Sequence, residues 1–153
     1  MYFMNMKGSQ MIKGIDYIGV GVVYFCHDGQ GNFVMAKLGQ NSRDEKGLWD
    51  IGGGGMEFGD TPEVTLRKEI GEEYGTPVLS FEYLGFRDVH RSHEGKPTHW
   101  IALDFKVLVD KDQVKNGEPH KFDDIGWFTL NTIPEHCHSQ FPEFLRLYGE
   151  KLR

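Results

Sequence analysis

The sequence has little cysteine, and this shortage excludes two classes of small protein. Its two cysteines, Cys26 and Cys137, stand far apart and lack the spacing of a zinc-binding motif. Two thiols in a chain of 153 residues are typical of a reduced, intracellular protein, although the sequence leaves one disulfide open. We therefore expect neither a disulfide scaffold nor a structural zinc module.

The sequence also lacks a long hydrophobic run. The longest apolar stretch, Tyr17 to Cys26, has ten residues and contains glycines, whereas a membrane-spanning helix needs about 20 apolar residues. The N-terminus does not have the layout of a signal peptide, in which a basic segment precedes an apolar one. We interpret the apolar stretch as a buried strand and expect a cytoplasmic protein that does not contact a membrane.

No basic segment is present, and the formal net charge is −6. Extended binding to a nucleic-acid backbone needs a basic surface, so this function is excluded. The hydrophobic content of 39% and the aromatic content of 13% are typical of a globular protein. We expect residues 1–153 to form one domain, with residues 1–13 as either a loose tail or an extra strand.

Alternating and β-branched segments predict a largely β-structure with two helices. The predicted strands are 16–25 and 33–38, which form a hairpin, then 48–51, 78–91, 99–109 and 125–130. In the fifth of these strands, apolar and other residues alternate from Ile101 to Leu108, which predicts that one face is buried. A C-terminal helix is expected at about 142–152, and the segment 110–124 is expected to be a long charged loop.

The chemistry is concentrated between Gly53 and Gly75, where the sequence reads GGGMEFGDTPEVTLRKEIGEEYG. The preceding glycine run predicts a loop that allows close approach of the backbone. Asp60 and Glu63 have the spacing of a helix-capping pair, and Pro62 fits the first turn. The sequence therefore predicts a helix that begins near Thr61 and ends at Gly75.

Three glutamates of this helix, Glu69, Glu72 and Glu73, fall within one face about 100° wide. Like charges on adjacent turns repel, and a hard divalent cation such as Mg²⁺ or Mn²⁺ would relieve the repulsion. Taken alone, glutamates in such a run usually form a solvated acidic face, and such glycines usually form a flexible loop. The fixed distance in sequence between the two features favours a functional site.

This segment resembles the Nudix box, G-x5-E-x7-R-E-U-x-E-E-x-G-U, in which U is a bulky apolar residue. The matching positions are Gly54, Glu69, Ile70, Glu72, Glu73 and Gly75. Asp60 replaces a glutamate, Thr76 replaces an apolar residue, and Lys68 replaces an arginine. In the family, that arginine resembles a clamp that orients the glutamates through forked hydrogen bonds, which lysine cannot form.

The resemblance implies an α/β fold, namely an α/β/α sandwich with a mixed sheet and one helix on each side. It implies a hydrolase that uses Mg²⁺ or Mn²⁺ to cleave a diphosphate linkage in a nucleoside diphosphate derivative. By the same resemblance, Glu69, Glu72 and Glu73 are catalytic, and the metal ligands are Gly53, through its carbonyl, Glu57, Glu69, Glu72 and Glu73. Glu69 is either a ligand or the base, and the alternative bases from a later loop are Glu118, Asp123 and Asp124.

The sequence favours one size of substrate and offers several candidate contact residues. The small chain favours a nucleoside triphosphate or a similar small nucleotide, and Lys37 and Arg43 are either phosphate contacts or solvated cations. Three histidines, His90, His93 and His99, flank one predicted turn and suggest either a metal site or a substrate contact. The aromatic residues that could stack on a base, although such residues are more often core, are Tyr24, Trp49, Phe86 and Trp100.

The sequence allows alternatives for the activity and for the oligomeric state. The replacements at Lys68 and Asp60 also fit a nucleotide-binding or regulatory Nudix-fold module with weakened catalysis. The partner in either case is a small nucleotide, and the chain is either a monomer or a homodimer.

Overall fold

The computed structural model of the protein describes residues 10–153, which form a mixed sheet with one helix on each face. The helices are α1 (Pro62–Tyr74) and α2 (Phe141–Tyr148), and short 3-10 turns lie at Lys111–Gln113 and Gly149–Lys151. The strands are β1 (Gly19–His27), β2 (Phe33–Leu38), β3 (Trp49–Asp50), β4 (Gly53–Gly55), β5 (Ser80–His93), β6 (Lys96–Leu108) and β7 (Phe122–Phe128). The predicted α/β/α sandwich with a mixed sheet is confirmed. Of the predicted N-terminal tail, residues 1–9 lie outside the described residues, and Lys13 forms an isolated bridge with Tyr17.

Strand β1 occupies the centre of the sheet, whose order is β3-β2-β1-β6-β5. It runs parallel to β6 and antiparallel to β2 and β4. The predicted hairpin of β1 and β2 is confirmed, and β7 adds to β2 on a separate branch of the sheet. The register between β1 and β2 includes only the pair His27–Phe33, whereas β4 pairs with β1 and β7 pairs with β2, so the sheet divides between β1 and β2.

The side chains of β1 alternate between two hydrophobic cores. Val22, Tyr24 and Cys26 pack with α1, whereas Phe25 packs with α2. Strand β1 is therefore buried on both faces, as its apolar sequence predicts. Cys26 and Cys137 are both free thiols, so the disulfide that the sequence left open is not formed. Among the described residues, neither helix has the length and apolar character needed to cross a membrane.

The prediction that β6 is buried on one face is wrong. Ala102 and Asp104 are both buried, and Asp104 has no exposed surface. The carboxylate of Asp104 accepts hydrogen bonds from Arg87 Nε at 2.7 Å, Arg87 Nη2 at 2.8 Å and Tyr148 Oη at 2.8 Å. Helix α2 covers this face, and the ion pair with Arg87 makes a buried aspartate tolerable there.

The turn between β5 and β6 is shorter than expected. It consists of Glu94 and Gly95, which both have positive φ, at 51° and 79°. This conformation is typical of the two-residue turn of a tight hairpin. The strands therefore continue through most of the segment 92–98 that the sequence predicts as a turn.

Two local predictions around the box are also corrected. Gly53–Gly55 is not a loop but the short strand β4, which pairs with β1 from Gly21 to Val23. The cap of α1 is Thr61, whose Oγ1 accepts a hydrogen bond from the amide of Val64 at 3.2 Å, rather than Asp60. The helix begins at Pro62 and ends at Gly75, as predicted.

Two glycines at the end of α1 provide a matched test of backbone conformation. Gly75 has a φ of 63°, and a Cβ there would lie 2.6 Å from Lys115 Cε, so Gly75→Ala should lower the free energy of unfolding by about 1–3 kcal/mol. Gly71 has ordinary helical angles and open space around it, so Gly71→Ala should raise the same quantity by up to about 1 kcal/mol. Urea unfolding of both variants measures the two effects, and equal changes in the two would contradict the assignment of Gly75 as the left-handed cap.

Candidate active site

The three glutamates of α1 occupy different environments, although the helical periodicity places them on one face. Glu69 is partly buried, Glu72 is exposed, and the side chain of Glu73 is almost fully buried. A Cβ at position 54 would lie 2.6 Å from Glu69 Oε2, so a side chain there would require this carboxylate to shift. Burial, followed by the charge of Glu72, raises the pKa of Glu69.

Glu73 lies between α1 and the sheet, where its carboxylate accepts a hydrogen bond from the hydroxyl of Tyr24. Lys121 Nζ lies 3.7 Å from Glu73 Oε2 and supplies a nearby positive charge. Burial raises the pKa of Glu73 to about 8, and the charges of Asp50 and Glu118 act in the same direction. Lys121 and Tyr24 oppose this shift only in part.

The loop before β7 docks on the C-terminal end of α1 and carries Glu118 and Lys121 into the site. The amide of Gly117 donates to the carbonyl of Glu73, and the amide of Lys115 donates to the carbonyl of Tyr74, both at 2.9 Å. In this position of the loop, the charge of Glu118 raises the pKa of Glu69 and of Glu73, and the charge of Lys121 lowers the pKa of both carboxyl groups.

The other two candidate bases lie elsewhere. Asp123 and Asp124 are exposed residues of β7, and Asp124 stands opposite Lys37 of β2. Of the three loop and strand carboxylates proposed as alternative bases, the structure therefore brings only Glu118 to the glutamate helix.

Glu57 and Gly53 differ in how well they fit the expected ligand set. Glu57 is exposed and forms an ion pair of 3.2 Å with Lys13 Nζ, which also donates to the carbonyl of Met56. Gly53 pairs with Val23 in the sheet and lines the cavities beside the helix. Among residues 10–153, the compact groups of potential metal ligands are Asp88–His90–His99 and Asp44–Glu45–His138, so the predicted carboxylates are not gathered around one point.

A cavity of about 420 Å³ lies on the α2 side of the opened sheet. Its walls include Trp100, Phe141 and Phe144, and its volume is typical of a small-molecule site. A second cavity of about 170 Å³ adjoins it, and Glu73 lines that one. Asp50, Gly53 and Lys121 line both cavities, so they mark the place where the two meet.

The two cations proposed as phosphate contacts are placed differently. Arg43 lines both cavities. Lys37 instead lies on β2 between Trp49 and Asp124, and it is not among the described residues that line either cavity. Lys121 was not among the residues predicted from the sequence, because only the docking of its loop on α1 brings it to Glu73.

The three histidines do not form one group. His90 and His99 stand directly opposite each other, with ring centres 4.1 Å apart, and Asp88 Oδ1 lies 2.9 Å from His99 Nε2. His93 instead lines the large cavity.

The candidate aromatic residues are also divided. Trp100 lines the large cavity, Tyr24 belongs to the α1 core, Trp49 packs against Phe128, and Phe86 is 61% exposed. Of these four, Trp100 is the residue placed to stack on a ligand.

Glu45 binds two residues that line the large cavity, Arg91 and His138. Its backbone has a φ of 51°, which is uncommon for a residue other than glycine. Its carboxylate accepts hydrogen bonds from Arg91 Nη2 at 2.7 Å and from the amide of Ser139 at 2.8 Å, and it lies 2.5 Å from His138 Nε2. The loop between β2 and β3 is thereby tied to β5 and to the segment before α2.

A mixed sheet between two helices, with an acidic helix beside a cavity of ligand size, defines an α/β/α sandwich domain with a candidate ligand site. The family model of the NUDIX domain matches residues 17–147, and the chain belongs to the Nudix family. It is a hydrolase that acts on a diphosphate linkage in a nucleotide derivative, and the family generally uses a divalent metal.

Among curated relatives, the chain is 32% identical over 114 residues to a nucleoside triphosphatase NudI from Enterobacter sp. (strain 638), covering 67% of this chain and 79% of the relative. It is 25% identical over 127 residues to an RNA pyrophosphohydrolase from Acidiphilium cryptum, covering 75% of this chain and 76% of the relative.

Two solved structures have the same fold. The MutT Nudix hydrolase from Burkholderia pseudomallei aligns with a TM-score of 0.74 at 22% identity, over 84% of this chain and 96% of that one. The MutT protein from Methanosarcina mazei Go1 aligns with a TM-score of 0.74 at 21% identity, over 88% of this chain and 94% of that one.

The raised pKa of Glu73 predicts a pH dependence of stability for the metal-free protein. In the folded state this carboxyl titrates at about 8, whereas in an unfolded chain it titrates at about 4.3. Because the folded pKa is the higher one, its contribution is present at low pH and is lost as the pH rises towards 8. We expect a decrease on the order of a few kcal/mol in the free energy of unfolding across this window.

Urea unfolding in EDTA measures this decrease, and the variant Glu73→Gln should have a flatter profile because its side chain does not titrate. Glu63→Gln, at an exposed position of the same helix, serves as the control and should keep the decrease of the unaltered protein. Parallel profiles for the two variants would show that Glu73 is not the group responsible.

Proposed function

We propose that this protein hydrolyses the diphosphate linkage of a nucleoside triphosphate or a similar small nucleotide with the help of Mg²⁺ or Mn²⁺. The observation that carries the proposal is the junction of the two cavities beside the glutamate helix. The large cavity has the volume and the aromatic walls for a nucleoside, and the small polar cavity leads to Glu73. Similarity to the nucleoside triphosphatase of Enterobacter supports a small nucleotide.

The donor atoms are of the type that a hard divalent cation binds, although the carboxylates must move closer together to hold one. The carboxylates of Glu69, Glu72 and Glu118 lie close enough that the latter two raise the pKa of Glu69. A cation among them would offset this repulsion, and oxygen donors suit Mg²⁺ or Mn²⁺. We assign Glu69, Glu72 and Glu73, with the Gly53 carbonyl, as the holding groups, and Glu57 joins them only on release from Lys13. When bound, the cation would neutralise diphosphate charge and make a water molecule more acidic.

The residues of the chain supply the remaining functions. Glu69 is either one of these holding groups or the base, and its partly buried carboxylate has a raised pKa and so accepts a proton more readily at neutral pH. Glu118 is the alternative base, since the docked loop brings it to the same site. Arg43 and Lys121 line the junction of the cavities, and this position supports a role for both in binding the phosphate oxygens of the substrate.

One observation favours the second candidate, a nucleotide-binding module with weakened catalysis. Lys68 is exposed and acts on Glu69 through its charge. Arg67, the neighbouring guanidinium, is held by Glu63 at 3.0 Å and by the carbonyl of Val78 at 3.2 Å. Neither residue can therefore replace the arginine clamp that the family motif carries at position 68.

Replacement of the assigned ligands should separate the two functions. We expect Glu72→Gln and Glu73→Gln to lower kcat/KM at least about 100-fold, because each removes a negative charge that the cation and the proton transfer need. Phosphate release from a panel of nucleotides with Mg²⁺ is the measurement, and Glu63→Gln on the exposed side of α1 is the matched control. Tight nucleotide binding without turnover in Mg²⁺ or Mn²⁺ would instead establish the binding module.

The substitution Lys68→Arg tests the weakened clamp. A guanidinium at this position can form forked hydrogen bonds to carboxylates, so the activity should be maintained or raised. Steady-state hydrolysis with Mg²⁺ measures the change, and Lys46→Arg, at an exposed loop position, controls for a general effect of arginine. A large loss of activity in Lys68→Arg would mean that the site is built around lysine.

A further inference from the structure

A group of potential metal ligands lies on the hairpin of β5 and β6, outside the glutamate helix. Asp88, His90 and His99 each offer one ligand atom, and the three atoms lie within 4.8 Å of one another. Asp88 Oδ1 is 2.9 Å from His99 Nε2, and the rings of His90 and His99 are stacked with their centres 4.1 Å apart. The proposed hydrolysis does not use these side chains, so their convergence needs another explanation.

The register of the hairpin brings the three side chains to one face of the sheet. His90 stands directly opposite His99, and Asp88 stands opposite Ile101. Because successive side chains of a strand alternate between the two faces, Asp88, His90 and His99 share a face. Cβ atoms of directly opposite residues lie about 4.5–5.5 Å apart, which brings two imidazoles within reach of one ion.

This part of the sheet is open to solvent. Phe105 of β6 packs in the α1 core, and His99 lies six residues before it on the same face. Val20 of β1, which stands opposite Ile101, is 36% exposed, so α1 does not cover this end of the face. Asp88 and His90 are exposed as well. An ion in solution can therefore reach the group directly.

The charges around this group differ from those around the second group of potential ligands. In the Asp44–Glu45–His138 group, Arg91 Nη2 lies 3.2 Å from one carboxylate and 2.7 Å from the other, so a guanidinium already balances their charge. Within residues 10–153, the carboxylate of Asp88 forms an ion pair only with His99. An entering cation would therefore displace a guanidinium at the second group but not at Asp88.

The donor atoms favour a transition metal over magnesium. Imidazole nitrogen suits zinc and the metals near it, whereas Mg²⁺ takes oxygen ligands. Two ligands of a tetrahedral zinc ion lie about 3.4 Å apart, so a separation of up to 4.8 Å closes with a small movement of the side chains. The two rings are 27° from parallel and must turn until one nitrogen of each points at the ion. The exposed position of His90 leaves room for this rotation.

We propose that Asp88, His90 and His99 bind one divalent cation of the zinc class, at a site that goes beyond the proposed function and is separate from the glutamate helix. The three side chains supply two imidazole nitrogens and one carboxylate oxygen, and solvent completes a tetrahedral coordination. Val89 and Trp100, which alternate with these ligands, stand opposite each other and line the large cavity. The ion therefore joins β5 to β6 directly behind the wall of this cavity.

Calorimetric titration with Zn²⁺ in an excess of Mg²⁺ tests the site. Mg²⁺ competes for the oxygen ligands of the glutamate helix but not for imidazole. We expect the unaltered protein to bind one more equivalent of Zn²⁺ than the double variant His90→Gln/His99→Gln. Each single substitution should weaken this binding at least about tenfold, because even the loss of an outer-shell partner weakens metal binding about 10- to 100-fold.

Two other histidines provide matched controls. His93→Gln alters the same hairpin, but His93 lines the large cavity on the other face. His138→Gln removes the histidine of the second ligand group. Both variants should keep the additional equivalent of Zn²⁺. Loss of this equivalent in either control, or equal zinc stoichiometry in the unaltered protein and the double variant, would overturn the proposal.

Thermal unfolding provides a second measurement that needs no substrate. Because an ion that binds the folded chain stabilises it, the unfolding midpoint should rise with the concentration of Zn²⁺. The rise should be smaller in Asp88→Asn, which loses the anionic ligand, and smaller again in His90→Gln/His99→Gln. An equal rise in all three proteins would assign the zinc effect to another site and contradict the proposal. Since neither measurement depends on hydrolysis, failure of the proposed function would leave both tests intact.

Discussion

The site depends on the close approach of α1 to the glycine strand β4. Position 54 has no side chain, and the carboxylate of Glu69 fills the space that a Cβ would take. One turn further along the same helix, Glu73 is pressed between the helix and β1 and is bound by Tyr24. A side chain at position 54 would require the carboxylate of Glu69 to shift. The bare glycine backbone thus allows the acidic helix to lie close to β4.

The sequence predicted the features that local chemistry determines. The ends of α1 follow from Pro62 and Gly75, the β1–β2 hairpin from its polar turn, and the sandwich from the resemblance to the family. It could not predict features that depend on distant partners. The glycine run becomes a strand only because β1 pairs with it. Asp104 becomes buried only because Tyr148 of α2 covers it and Arg87 of β5 forms an ion pair with it.

Helical periodicity gives the angular positions of the three glutamates around α1 but does not give their burial. The angular position of a residue around the helix axis determines which residues of the same helix lie beside it. Its burial depends on where the sheet and the loop before β7 lie. Glu72 points to solvent, and Glu73 is enclosed with a pKa raised to about 8. The loop that caps the end of α1 also brings Lys121, so the charge balance of the site is decided by a segment about 50 residues away in sequence.

The two faces of the sheet carry different parts of the candidate site. Helix α1 holds the acidic groups on one face, and α2 with β5 and β6 encloses the large cavity on the other. Strand β4 belongs to both, because its backbone touches Glu69 and its residues line the cavity. Substitutions in the cavity should therefore leave the carboxylates on the α1 side undisturbed, as long as the glycine strand is kept.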